Sequence, residues 1–504
     1  MGEKNKNHPR DLRGWLELLK EKDDLRVVDE KVTPDGEIQE IGRQMTLREG
    51  QSVLFTNIEG HEDTWCSKLS IGSLNTFGKL AMAMGLPRDS SKPDMVARLR
   101  ETLRNYVQPE IVETSPMKNN VIKEGIDIGK LPAPRWHPKS ERYINSWFGA
   151  VTKDPDTGDY NMSCYGGHIV DENTIASFFA RQKDWGQHFT KYCDRGEDMP
   201  IAFCYGLDPA YMIPAAVSWG HGGCKWGEFE WIGSIMGEPV PLIKCETIDL
   251  YVPAMAEIVF EGHMLCDSAT YVRYGITKDK DFGKAYTDPK ISPAVKIDCI
   301  THRDDPIFSG SAHGFTSAGG NIQEQYIPMA IGNEAILKNH LQDAGVEFED
   351  LSLSPFFAVK IKKMFEGHPL LVAHTLLGHK SSTRPWKMVV IVDDDVDLTN
   401  PAEVIGAIDI NVDPARDVHI ITMNNAYIDS AIRYSDMYES GAQLGSKMII
   451  DATLKWARHP KSKEWGADKG IITKRARTSP HEPVPQTEVE KVKRKWSDYG
   501  FGEY

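Results

Sequence analysis

Residues Tyr160 to Ile169 read YNMSCYGGHI, following the turn-forming run DPDTGD. An amide (Asn161), a hydroxyl (Ser163), a thiol (Cys164) and a phenol (Tyr165) fall within five residues, and the run ends in Gly166-Gly167. A strand this polar calls for a polar group lying against it. Five other places carry side chains with chemical capacity: Glu228 and Glu230 in KWGEFEWIGS, which read as a strand point to one face, Lys380 in GHKSSTRPWK, Lys183 and His188 in ARQKDWGQH, and the histidines His221 and His313 in two Gly-rich surroundings. An amide oxygen and a carboxylate are hard donors suited to Mg or Mn. A lysine is a point charge suited to phosphate, and a histidine titrates near neutral pH. Taken one at a time, each also has a plain reading: Asn161 ends a turn, Glu228 and Lys380 are surface charges, Lys183 is a solvated helix residue, and His313 is held by backbone.

Composition bounds the answer. The 504 residues exceed what one core serves, so two or three domains are expected. A net charge of −14 argues against a nucleic-acid surface. The first residues, MGEKNKNHPRDLRGWLELL, show no apolar signal core, and no apolar run reaches the ~20 residues of a membrane span. The eight cysteines are scattered without a C-x-x-C pair, which predicts no disulfide staple, no zinc ribbon and a reducing cytoplasm.

Along the chain, DLRGWLELLKEKDDL and DMVARLRETLRNYV have helical spacing, with the strand-like RVVDEKV between them. Residues 1–120 are expected to form a small α/β unit. Strand-like runs dominate 121–325 (WFGAVTKD, PIAFCYGL, PVPLIKCETIDLYVP, AEIVFEG, PAVKIDCITHR) and predict a barrel or sandwich, with TIASFFARQKDWGQHFTKYCDRG as one of its few helices. Helices and strands alternate over 326–475, the mark of an α/β layer. Residues 476–504 read as an arm ending in a short helix that docks elsewhere or on a second subunit.

Several of these stretches together carry a resemblance. LPAPRWHPKSERYI, VTKDPDTGDYNMS, PIAFCYGLDPA, EFEWIGSIMGEPVPLIKCETIDLYVPAMAEIVFEG, AVKIDCITHRDDPI, VVIVDDDVDLTNPAEV, DPARDVHII and GSKMIIDAT occur in the order found in UbiD-type decarboxylases. The chain resembles that family over nearly its whole length. The resemblance implies an α+β subunit in three parts: a central split β-barrel similar to flavin-binding barrels, flanked by an N-terminal α/β domain and a C-terminal α/β oligomerisation domain. It implies prenylated FMN, supplied by a separate flavin prenyltransferase, with Mn2+ and K+ at the phosphate, and a homodimer or homohexamer. It assigns Asn161 and Glu228 to the metal and Lys380 to the phosphate. It places Met162, Ser163, Cys164, Tyr165, Gln182, Lys183, Ala215 and Ala216 along the cofactor.

The chain also departs from the family pattern. Where relatives carry a third metal-binding histidine, the alignment gives Lys183, whose ammonium cannot ligate but can take the metal's place beside the phosphate; His188 is the rival if the register slips. Where relatives carry an arginine, Gly166 stands. The two partner glutamates of that arginine correspond to Asp279 and Lys284 in TKDKDFGKAY. The Arg–Glu–Glu proton relay is therefore expected to be dismantled, with Gly166-Gly167 leaving room for a larger substrate. His313, Lys284, Asp279 and Tyr165 become the candidate catalytic groups, and His221 is a further proton donor to consider.

The expected activity is reversible, non-oxidative decarboxylation of an aromatic acid, extending to an aromatic acyl-CoA such as phthaloyl-CoA. Two alternatives stand beside it: carboxylation of an unactivated arene, and a catalytically altered subunit that binds flavin or a partner. An ordinary nicotinamide-linked flavin oxidoreductase is disfavoured, because no G-x-G-x-x-G follows a strand.

Overall fold

The computed structural model describes residues 9–48, 50–135, 141–220, 223–274, 290–311, 313–315, 321–324, 326–353, 357–383, 386–424, 444–455 and 485–502. The fold is α+β in three parts around a curled antiparallel sheet. That sheet has nine strands: β1 (Asn120–Ile122), β2 (Tyr143–Asn145), β3 (Phe148–Lys153), β4 (Tyr160–Ser163), β5 (Gly167–Asp171), β6 (Thr174–Ser177), β7 (Met199–Tyr205), β8 (Ile258–Met264) and β9 (Ala294–His302). Their order is β2-β5-β6-β9-β8-β7-β3-β4, with β1 added on β9, so β4 lies at one end. Register is set by two buried faces: β7 pairs Phe203 with Ala150 on one side and Phe260 on the other, and all three residues are fully buried.

The flanking parts are α/β layers. The N-terminal sheet contains Leu25–Val28, Ser52–Phe55 and Lys68–Ile71, and is completed by Ile307–Gly310, which pairs in parallel with Lys68–Ile71. A buried carboxylate ties the same parts together: Glu257, at the start of β8, accepts two bonds of 2.8 Å from Arg13. In the C-terminal part five strands run in the order Asp350–Ser352, Ala358–Ile361, Met388–Asp393, Leu444–Asp451, Val418–Asn424.

Three expectations are corrected. The run TIASFFARQKDWGQHFTKYCDRG is not one helix: Thr174–Ser177 is strand β6, paired on both sides, and only Asp184–Asp194 (α1) is helical. EFEWIGS is not strand but the start of helix α2 (Glu228–Met236). All nine of its residues are buried, which erases the one-sided spacing that marks a helix in sequence. Gly227 at φ 55° turns the chain into it and Gly237, left-handed at φ 78°, ends it. Cys193 and Cys266 are joined by a disulfide across 73 residues, linking the end of α1 to the segment after β8. The other six cysteines are free thiols.

Candidate active site

Strand β4 pairs with β3 on one side only, so the N–H groups of Tyr160, Met162 and Cys164 face away from the sheet. Each is met from outside. Lys225 O takes the first at 2.8 Å and Ala215 O the third at 3.2 Å. The middle one goes to a side chain: Glu228 Oε2 accepts it at 2.7 Å. The other oxygen of Glu228 accepts from Trp219 Nε1 at 3.3 Å. Glu228 is 2% exposed and opens α2, where the helix dipole favours a negative charge. Because α2 is a helix, Glu230 does not share this face. Residues two apart diverge by ~200°, and Glu230 Oε1 turns back to the Trp226 N–H at 3.0 Å.

Asn161 and Ser163 share the face of β4 opposite Met162. Ser163 Oγ donates to Asn161 Oδ1 at 2.9 Å, and Asn161 Nδ2 donates to Thr152 Oγ1 at 3.3 Å. Thr152 also bonds His188 Nδ1 at 3.0 Å. His188, rival to Lys183 as a ligand, is buried within α1 and engaged on its other side with Asp154 at 3.8 Å. Burial pushes the Asp154 carboxyl up, but hydrogen bonds from Lys191 and the Asp156 N–H outweigh it and hold it below the usual range.

Lys183 is not a solvated helix residue. It sits at the N-cap of α1, 7% exposed, with Nζ donating to Ser218 Oγ at 2.8 Å. No side chain caps this helix. Beside it, Gln182 Nε2 and Trp185 Nε1 are buried with no acceptor among the described residues. A buried cation, an uncapped helix start and two spare N–H groups together form a place for an anion. Lys380 reaches the same corner from the C-terminal part and pairs with Asp184. Its neighbour His379 is driven down to about 4 by burial and by the adjacent His340 and Lys380, so near neutral pH it adds no charge there.

A continuous path now links the residues singled out from sequence. Glu228 bonds Met162 and Trp219, whose neighbour Ser218 holds Lys183, whose neighbour Asp184 holds Lys380. Ala215 and Cys164 join it through their backbone bond, with Ala216 capping the short helix Met212–Ala215. Tyr165 is 6% exposed and lies flat on Trp185, ring centroids 3.9 Å apart at 7°. Thr152, Asp184, Trp185, Ser218 and Trp219 were missed in sequence; only Asp184 and Trp185, adjacent to Lys183, had a signal.

Some expectations fall elsewhere. Asp279, Lys284, His221 and the side chain of His313 lie outside the described residues, though His313 itself is in a strand paired with Asn321–Gln323. Gly167 has a packing reason to be glycine: a Cβ there would meet Asn145 Nδ2 at 2.7 Å and Ser177 Oγ at 2.8 Å. Among the described residues no three His, Cys, Asp or Glu side chains gather to hold a metal, and no helix is long and apolar enough to cross a membrane.

Comparison with known proteins gives this geometry a context. An Archaeoglobus fulgidus protein without an assigned function is 28% identical over 90% of this chain and 94% of its own. The vanillic acid decarboxylase of Sedimentibacter hydroxybenzoicus, in closed form, superposes with a TM-score of 0.79 at 26% identity, covering 93% of this chain and 99% of that one. The open form of the same enzyme gives 0.72. HmfF from Pelotomaculum thermopropionicum, an evolved dimeric UbiD-class enzyme in complex with prFMN, gives 0.70 at 25% identity, covering 90% and 98%. Three family models of 3-octaprenyl-4-hydroxybenzoate carboxy-lyase match in sequence order: the N-terminal domain at residues 16–99, the Rift-related domain at 110–315 and the C-terminal domain at 334–452. The chain belongs to the UbiD family of carboxy-lyases.

Proposed function

We propose that this carboxy-lyase removes CO2 reversibly and without net oxidation from an aromatic carboxylic acid, using prenylated FMN held at the corner where α1, β4 and α2 meet. The observation that carries the reading is the buried Lys183 at the uncapped start of α1, flanked by the unpaired N–H groups of Gln182 and Trp185. These groups fit the phosphate of a flavin nucleotide. Lys380 adds a second cation by exchanging Asp184 for phosphate, and the backbone of Met162, Ser163 and Cys164 lies alongside. When bound, the modified flavin supplies an electron sink for the bond that breaks.

The protein's own work is binding, orientation and proton delivery. As the carboxylate leaves, an electron pair remains on the ring carbon and a proton must be brought to it. Tyr165, fixed by its stack on Trp185, is the described group best held for that task; His313, Lys284 and Asp279 are the others we assign to it. The residues do not fit a full Mn2+ cage, since Asn161 offers one amide oxygen that accepts from the Ser163 hydroxyl and Glu228 one carboxylate that accepts from two N–H donors. We assign the compensating charge to Lys183, with K+ as a further neutralising ion. The cofactor comes from a separate flavin prenyltransferase. The chain assembles as a dimer or hexamer, covering Ile405, Ile410 and Ile420, which are 53%, 71% and 74% exposed. Aromatic acyl-CoA thioesters such as phthaloyl-CoA belong to the substrate class we would test.

The test uses cofactor-free protein titrated with FMN and prenylated FMN, with and without EDTA, then assayed for CO2 release from benzoates, cinnamates and phthaloyl-CoA. Flavin affinity is expected to be insensitive to EDTA. It is expected to fall about 10–100-fold in Lys183→Met, the loss of one charge-assisted hydrogen bond. A protein that takes up no flavin overturns the function, and one that needs Mn2+ for uptake overturns the role of Lys183.

A further inference from the structure

The bonds on the far side of Asn161 form a directed line. Asn161 Nδ2 donates to Thr152 Oγ1, so that oxygen is already an acceptor. Thr152 Oγ1 lies 3.0 Å from His188 Nδ1, and its hydroxyl hydrogen points there when that nitrogen carries no proton. Asp154 Oδ2, 3.8 Å from Nε2, can only accept, and so favours the neutral tautomer with the proton on Nε2 and Nδ1 accepting. Asp154 is itself fixed by Lys191 at 2.6 Å and by the Asp156 N–H at 2.8 Å. All the donors along this line point the same way, and Thr152, Asn161 and His188 are buried. Its effect is felt at Asn161. A primary amide can sit in either of two orientations; with Asp154, which only accepts, facing Nε2, the line runs with nitrogen toward Thr152 and oxygen toward Ser163 and the site.

We propose that His188 is a positioning residue which, through Thr152, locks the Asn161 amide with its oxygen presented to a cation at the cofactor's anionic end. His188 thus ceases to be a rival ligand and becomes the group that aims one. The proposal rests on the flavin-binding reading above and adds to it the reason why a histidine on α1 faces β3. The cation is the Lys183 ammonium or a monovalent ion. Both take an amide oxygen, and neither takes an amide nitrogen. Partners that orient a ligand in this way commonly change affinity 10–100-fold when removed.

The experiment compares wild type with Thr152→Val, Thr152→Ser, His188→Leu and the Val/Leu double variant. FMN affinity is measured by fluorescence quenching in buffers holding EDTA alone, K+, or Mn2+, with melting temperature recorded for each protein. Thr152→Val and His188→Leu are expected to weaken FMN binding by about tenfold or more, in whichever buffer supports binding. Thr152→Ser is expected to stay within about threefold of wild type, because the hydroxyl remains. The double variant is expected to be no worse than the worse single one, since the two act in series. The buffer that supports wild-type binding identifies the cation. Wild type that binds no FMN in any buffer refutes the flavin reading itself. Wild type that binds, beside folded variants that bind equally well, refutes the positioning role. So does additive loss in the double variant, or failure of Thr152→Ser to rescue.

Discussion

Replacing Glu228 separates its structural work from any ligand role. Its carboxylate takes the Met162 N–H at 2.7 Å and the Trp219 indole N–H at 3.3 Å, and it stands in the first turn of α2. Glu228→Ala strands both donors in a site that is 2% exposed. Each stranded donor costs about 1–3 kcal/mol, and the lost helix-end charge about 0.3–1 more. A total near 3–5 kcal/mol follows. Glu228→Gln keeps one oxygen and loses mainly the charge, about 1–2 kcal/mol. For a unit the size of the Rift-related segment, 110–315, each kcal/mol moves the melting temperature by roughly 2–4 °C. The alanine variant is therefore expected to melt roughly 6–20 °C lower and the glutamine variant roughly 2–8 °C lower. Differential scanning fluorimetry reads both, and hydrogen exchange of the Met162 amide should speed up in the alanine variant. Melting within a degree of wild type, with Met162 as protected as before, would refute the claim that this carboxylate seals the edge of β4.

The Cys193–Cys266 bond closes a 73-residue separation, worth up to about 4 kcal/mol in the chain-entropy account. Cys193→Ser, or reductant added to wild type, should lower the melting temperature, and unfolded unreduced protein should titrate as six thiols; eight thiols would show the bond is absent. Glu324, fully buried, accepts from the N–H groups of Leu74 and Gly72. Burial outweighs these bonds and the nearby Lys79, pushing its carboxyl up to about 7 from 4.5. A raised carboxyl contributes stability that is present below its unfolded value and lost as pH rises through about 7, some 3 kcal/mol in all. Urea midpoints should show this decline from pH 4.5 to 8 in wild type and its absence in Glu324→Gln; parallel curves would contradict it.

The three-part α+β fold was legible because long motifs survive intact. The strand at Tyr160 was legible from its sharp turn and polar alternation. The helix at Glu228 was not, because a wholly buried helix offers no polar face to give it away. The segment Thr174–Asp194 misled in the opposite sense, since β6 runs into α1 through only six residues and its apolar content continued a helical pattern. Lys183 was found by its place in a motif, but its burial at a helix start could not be read from a charged residue among polar neighbours. The Thr152–His188 line was invisible because it depends on β3 pairing with β4 and on α1 packing across both.

Lys380 comes from the C-terminal part, while its partner Asp184 belongs to α1, at the mouth of the proposed phosphate corner. Assembly of that corner thus has a mechanical precondition: segments nearly two hundred residues apart in sequence must be seated against each other. Lys380 is 29% and Asp184 20% exposed at the side chain, so dissolved salt can reach the clasp and weaken it. Ionic strength thereby becomes a handle on how firmly Lys380 and Asp184 hold each other.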